Sequence, residues 1–248
     1  MTESIFPFEL SFLQLVLAWA VVAVGAALQG AVGFGLGVIG APLLVLIAPG
    51  LVPGPLLLVA FVLTLLLTYR ERRAVDLSGM HWAIAGRFVG VVVAAVALAL
   101  LPRHRMSTAI AISVLVAVGI SASGLRLRPG NGALFGAGAV SGLTGTIASI
   151  GGPPIAMLYL DAAGPRLRGT LSGQFVVGTL MSLLALGAIG QFARTEFVLG
   201  IVLLPGMLTG FAFSRWLVTH IDRGRTKTAV LTTSALAGVM VLVGQLLG

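Results

Sequence analysis

The sequence predicts an all-α polytopic membrane protein made of two inverted repeats. Each repeat is a Gly/Pro-broken helix pair or hairpin plus three transmembrane helices, giving eight to ten membrane segments. Three observations predict this class. Hydrophobic residues make up 58% of the chain and charged residues 9%, where a soluble domain carries about 25% charged residues. Residues 29–42 place Gly30, Gly33, Gly35, Gly37, Gly40 and Pro42 inside otherwise lipid-compatible sequence. A helix interior loses about 1 kcal/mol for Gly and about 3 kcal/mol for Pro relative to Ala, and broken backbone at membrane depth persists only against protein or a water-filled cavity. The third observation is a second copy of the break, in residues 142–154. Paired interruptions in two halves are the sequence mark of a transporter's binding site.

In chain order, residues 1–9 carry Glu3 and Glu9 but no basic residue, so they lack a signal peptide's positive start and are expected to remain in the protein. Residues 10–28 are long enough to span. A short arm at 36–48 follows the break, in the 10–14 residue range that suggests a re-entrant piece. A proline-rich turn at 49–55 leads to a span at 56–69, closed by Arg70, Glu71, Arg72 and Arg73. Further spans are expected at 81–101, which contains Arg87, and at 106–124. The second half repeats the order: a span at 131–149, its break, a short arm at 153–163, a loop at 161–168, and spans at 170–190, 197–218 and 227–247.

A shift of 112 residues sets Gly30, Gly33, Gly40 and Pro42 on Gly142, Gly145, Gly152 and Pro154. A shift of 120 sets Gly86 and Gly90 on Gly206 and Gly210, and Arg103, Arg105, Thr108 and Ala109 on Arg223, Arg225, Thr228 and Ala229. The repeats therefore divide at 1–125 and 126–248, within one integral membrane domain. An odd number of crossings per half makes the halves inverted. Loop charge agrees, with residues 70–73, 126–128, 161–168 and 215–227 reading as inside and both chain ends as outside. Arg103 and Arg105 dissent, falling outside.

Composition also excludes functions. The chain has no Cys and only His81, His104 and His220, so thiolate metal sites and Cys nucleophiles are ruled out. No HExxH, Walker lysine loop or GxSxG elbow occurs, so neither an embedded hydrolase nor an ATP-driven pump is suggested. No catalytic residue, metal or cofactor is expected. The formal charge of +8 is spread over short loops, without the basic stripe and interleaved aromatics of a nucleic-acid binder.

Helix starts and free amides at two apposed breaks can hold an anion. The candidate substrate-binding residues are Gln29, Gly33, Gly35, Gly40 and Pro42 in the first break, and Thr144, Gly145, Thr146, Ser149, Gly151, Gly152 and Pro153 in the second. Arg87 and Gln174 join them from neighbouring spans. The hydroxyls of Thr144, Thr146 and Ser149 read as the principal neutral donors. The competing reading of the glycines is close helix packing in lipid. Arg87 either neutralises a bound anion or snorkels to the surface, and its partner in the 120 register is Met207. Gln174 either binds ligand or makes an interhelical hydrogen bond. Asp161 reads as a loop carboxylate paired with Arg166 or Arg168, with coupling-proton carrier as its alternative.

With Gly40-Ala41-Pro42, its second copy Gly151-Gly152-Pro153-Pro154 and their spacing, the chain resembles the TauE/SafE family of sulfite exporters, also called the toluene-sulfonate uptake permease family. The resemblance covers essentially the whole chain. The first break reads Gly33-Phe34-Gly35-Leu36-Gly37, where many members show a denser glycine run. The resemblance implies a multi-pass protein of the cell inner (plasma) membrane that moves small sulfur-containing anions such as sulfite, sulfoacetate or other organosulfonates without ATP. Its partners would be the anion and the lipid bilayer, with a homodimer and a coupling proton both compatible. Alternating access is the reading, with a passive anion channel and a non-transporting membrane scaffold as competitors.

Overall fold

A computed structural model describes residues 10–102, 105–123, 128, 130–159 and 164–220, together with 239 and 243. Among these residues every regular element is helical. Nine α-helices can be followed among the described residues: α1 (Phe12–Val32), α2 (Leu36–Ile47), α3 (Gly54–Arg70), α4 (Met80–Leu100), α5 (Met106–Ala122), α6 (Asn131–Ala148), α7 (Gly152–Ala156), α8 (Gly164–Ala188) and α9 (Arg194–His220). Among the described residues five segments are long and apolar enough to cross a membrane: Phe12–Val32, Pro49–Arg70, Met80–Leu100, Gly164–Ala188 and Arg194–His220. Their outward faces are apolar, with Leu184 and Phe213 each 66% exposed. A chain cannot present such faces to water on this scale, and lipid is their natural solvent.

The first arm is as the sequence predicts, a 12-residue helix running back along α1. Ser11 and Gln14 cap α1 reciprocally, and the Gln14 side-chain amide then donates to Ile47 O at 2.9 Å. The start of α1 and the end of α2 are thereby joined, closing a hairpin. The second arm differs from expectation. It is the five-residue α7, begun by Pro153 and Pro154 where missing N–H groups cost nothing. Helix α8 begins at Gly164, so Arg166 and Arg168 lie in its first turns and not in a loop. Asp161, Arg126, Arg103 and the expected last span at 227–247 lie outside the described residues.

Two parallel helix pairs flank the centre. Helix α9 runs alongside α1, with Gly206 and Gly210 pressed on the Trp19 and Ala23 carbonyls and the Trp19 indole donating to Val202 O at 2.6 Å. Helix α4 runs alongside α6, with Gly86 and Gly90 on the Phe135 and Ala139 carbonyls, and Gly138 and Gly142 on those of Ala83 and Arg87. Glycine at these six approaches lets backbones touch, the packing that replaces hydrophobic driving force in lipid. Between the pairs, α3 and α8 run antiparallel. Glu71 faces Gly169 at one end of this seam, and Leu57 and Leu58 pack with Leu183 and Leu186 at the other.

Charge collects at one end of the bundle. Arg70, Arg72, Arg73, Arg166 and Arg168 lie there, with Asp76 accepting from Arg166 and Glu71 from Arg168. Arg166 and Arg168 thus hold Asp76 and Glu71.

Candidate functional site

The two breaks interlock. Gly33 (φ +104°) and Gly35 (φ +150°) turn the chain from α1 into α2 through backbone that an L side chain rarely adopts. Across this turn the Gln29 side-chain oxygen accepts from Leu36 N at 3.2 Å, capping α2. In the second break Ser149 takes φ 59° as the cap of α6, an uncommon conformation for a residue with a Cβ. A Cβ on Gly37 would strike the Ser149 carbonyl, and one on Gly152 would lie 2.6 Å from Phe34 Cβ. Each break therefore fits into the space the other leaves.

Between them lies a cavity of about 30 Å³, lined by Gln29, Gly35 and Gly37 from the first break and by Gly145, Ser149, Gly151 and Gly152 from the second. Thr64, Phe175 and Thr179 close it from the α3 and α8 seam, and Arg87 enters from α4. Such a space holds one or two waters, so this conformation is nearly closed.

Arg87 is the charge of the site. It is 4% exposed, and its Nη1 donates to Ser141 Oγ at 2.8 Å, while Ser141 Oγ donates to Gly151 O at 2.6 Å. The guanidinium carbon sits 5.6 Å from the Phe175 ring centre. Gly178 lies directly against the guanidinium, and Gly145 flanks it. Among the described residues its Nε has no hydrogen-bond partner, and no carboxylate pairs with it. The side chain turns inward to the second break, so the snorkelling alternative does not describe it. A buried cation at membrane depth costs about 2.5–3.5 kcal/mol on insertion scales. It is the natural partner for an anion that enters the cavity.

Seven of the residues singled out in the sequence meet at this cavity: Gln29, Gly35, Arg87, Gly145, Ser149, Gly151 and Gly152. The rest lie elsewhere. Gly33 packs on Leu171 and Arg168, Gly40 on Leu56, and Pro42 and Pro153 are buried within α2 and α7. Gln174 is buried beside Tyr159. The neutral-donor expectation fares differently from the geometry of Arg87. Thr144 Oγ1 lies 2.7 Å from Ile150 O and 2.9 Å from Val140 O, and Ser149 Oγ donates to Pro53 O at 3.1 Å. Ser182 donates to Gly178 O, so Thr146 spends its proton on Ser182 Oγ at 2.8 Å. All three hydroxyls strap the break together and have no proton left for a ligand. Ser141, Phe175, Gly178 and Thr179 were not among the candidates. Ser141 stands one turn before Gly145, and Phe175, Gly178 and Thr179 share one helical face, a signal visible only once α8 is known to pass the break.

An all-helical membrane protein with a charged cavity between two interrupted helix pairs has the architecture of a membrane transport protein. Residues 17–241 match the family described as Sulfite exporter TauE/SafE, and the chain belongs to that family. No curated protein and no solved structure matches it.

Proposed function

We propose that this chain is a secondary carrier of the inner (plasma) membrane that moves a small sulfur-containing anion, of the sulfite, sulfoacetate or other organosulfonate kind, by alternating access through the cavity around Arg87. One observation carries the reading: a buried guanidinium, without a carboxylate partner among the described residues, faces a cavity between two broken helix pairs. The anion would supply the missing countercharge. The first turn of α2, with Gly35 and Gly37 on the cavity, adds the positive end of a helix.

The reading of the two halves as inverted repeats is supported by reciprocal packing, in which α1 takes α9 and α6 takes α4. Under that reading the caps Gly33 and Ser149 are equivalent, as are the helix starts Leu36 and Gly152. Both pairs stand 116 residues apart, one helical turn beyond the 112 of the residue identities. Arg87 then answers to Met207, which is buried in the main apolar core, so one half alone supplies the charge.

Equilibrium binding and counterflow in proteoliposomes test the proposal. Removing a partner from a buried charge pair costs about 2–5 kcal/mol, or about 30- to 5,000-fold in affinity. Arg87→Gln should lose anion binding by a factor in that range, whereas Thr146→Val should bind as the parent does. Unchanged binding in Arg87→Gln would overturn the assignment of the site, and conductance without counterflow would overturn the carrier.

A further inference from the structure

The cavity has room for only a water or two, yet one wall of it is polar well beyond the lining residues. On α3, Thr64, Thr68 and Glu71 recur at helical spacing on one face, and on α8 Arg168, Ser172, Phe175 and Thr179 do the same. The helices are antiparallel, with Glu71 against Gly169. Three residues further along each, Thr68 therefore stands opposite Ser172, between the cavity and the Arg70 end. Both hydroxyls are buried, and neither Thr68 Oγ1 nor Ser172 Oγ has a hydrogen-bond partner among the described residues. Unpaired hydroxyls in an apolar seam are costly where Ala or Val would pack as well. At the mouth of the seam, Glu71 Oε1 accepts from Arg70 Nε at 3.2 Å and from Arg168 Nε at 3.1 Å. One carboxylate oxygen thus lies between two guanidinium groups, in the arrangement an oxyanion would take.

We propose that the anion travels between the cavity and the Arg70 end along the α3 and α8 seam, past Thr68 and Ser172, and that Arg70 and Arg168 form a second anion station at its mouth, filled in this conformation by the Glu71 carboxylate. The inference rests on the carrier reading. Its logic is exchange: an arriving oxyanion replaces Glu71 between the two guanidinium groups, so neither cation is left bare while the seam parts. Arg70 also donates to Gly30 O at 2.6 Å and to Ser214 Oγ at 2.8 Å. Release of Glu71 is thereby felt at the end of α1, beside the first break, and on α9. Thr68 and Ser172 supply the hydrogen bonds that a partly dehydrated anion needs on the way.

The chain has no cysteine, so single reporters are clean. Ser172→Cys, in full-length protein reconstituted in vesicles, should react slowly with a membrane-impermeant thiol reagent applied from the Arg70 side. Adding Glu71→Gln or Arg168→Gln should speed that reaction by about tenfold or more, the factor that 1.4 kcal/mol represents. Ser182→Cys, on the far side of the cavity, should not change. Equal rates for Ser172→Cys in all backgrounds would overturn the route. A second test needs no altered charge. Oxidising the Thr68→Cys/Ser172→Cys pair to a cross-link should stop anion uptake, and reduction should restore it; uptake that continues through the cross-linked protein overturns the route. Labelling needs no anion, so the two levels separate. Flat labelling with binding that depends on Arg87 discards the route alone, whereas absence of such binding discards the carrier reading and the anion route with it, whatever the labelling.

Discussion

Arg87 is held in place by what its neighbours lack. Gly178 has no side chain where the guanidinium lies, and a Cβ there would collide with Arg87 Nε. Gly178→Ala should therefore displace the charge without disturbing the fold of α8. Overpacking costs about 1–3 kcal/mol, equivalent to about 5- to 150-fold, and that loss should be visible in anion affinity while expression is kept. Two other glycines make opposite predictions. Gly152→Ala brings a Cβ to 2.6 Å from Phe34 Cβ, whereas Gly40→Ala meets only Leu56 methyls at 3.4 and 3.5 Å. Uptake by reconstituted protein should fall sharply for the first and stay near the parent for the second. If Gly40→Ala were the inactive one, the interlock of the breaks would not be what sets the site.

At the scale of elements, the parallel pairs α1 with α9 and α4 with α6 depend on glycine rows that bring backbone to backbone. A side chain at Gly90 or Gly210 meets the Ala139 or Ala23 carbonyl, which cannot swing aside as a side chain can. Gly90→Val and Gly210→Val should each lower the thermal midpoint in detergent, whatever their effect on binding. The connection from α3 to α4 is tied to α8 by Asp76, whose Oδ2 accepts from Arg166 Nη2 at 2.6 Å and whose N–H donates to Thr170 Oγ1 at 2.9 Å. The hydrogen bond from Arg166 holds the Asp76 carboxyl below its ordinary value. A carboxylate with a lowered value stabilises the folded state fully above its ordinary range and loses that contribution as pH falls through the folded value. Asp76→Asn should thus be less stable than the parent at neutral pH, and the gap should close on acidification below about pH 3.8. A gap that persists at lower pH would show that charge is not its cause.

For the whole molecule, the concentration of Arg at the Arg70 end predicts orientation. Ser78 and Thr195 are exposed at opposite ends of the bundle. By the rule that basic loops stay in the cytoplasm, Ser78→Cys should be labelled only from the cytoplasmic side and Thr195→Cys only from outside. The reverse pattern would invert the protein in the membrane, and with it the side that Glu71 faces.

The sequence by itself determined the elements that local chemistry dictates. Apolar length set the spans, with α4 expected at 81–101 and found at Met80–Leu100. Glycines that only a left-handed turn requires set the first break, and α2 was expected at 36–48 and found at Leu36–Ile47. Gly86, Gly90, Gly206 and Gly210 stand out in the sequence by their spacing, and each touches a carbonyl of a neighbouring helix. What only the tertiary structure decided was where polar groups spend their protons. Thr144, Thr146 and Ser149 look like free donors in a linear sequence, yet each meets an acceptor from a break, α8 or the turn before α3. Arg87 could face lipid or cavity by its spacing alone, and the choice was made by Ser141, Phe175 and Gly178, brought to it from α6 and α8. Helix and break follow from backbone preferences within one segment, whereas Arg87, Thr146 and Ser149 are satisfied by groups 54, 36 and 96 residues away. That is a property of packing, which no short stretch of chain contains.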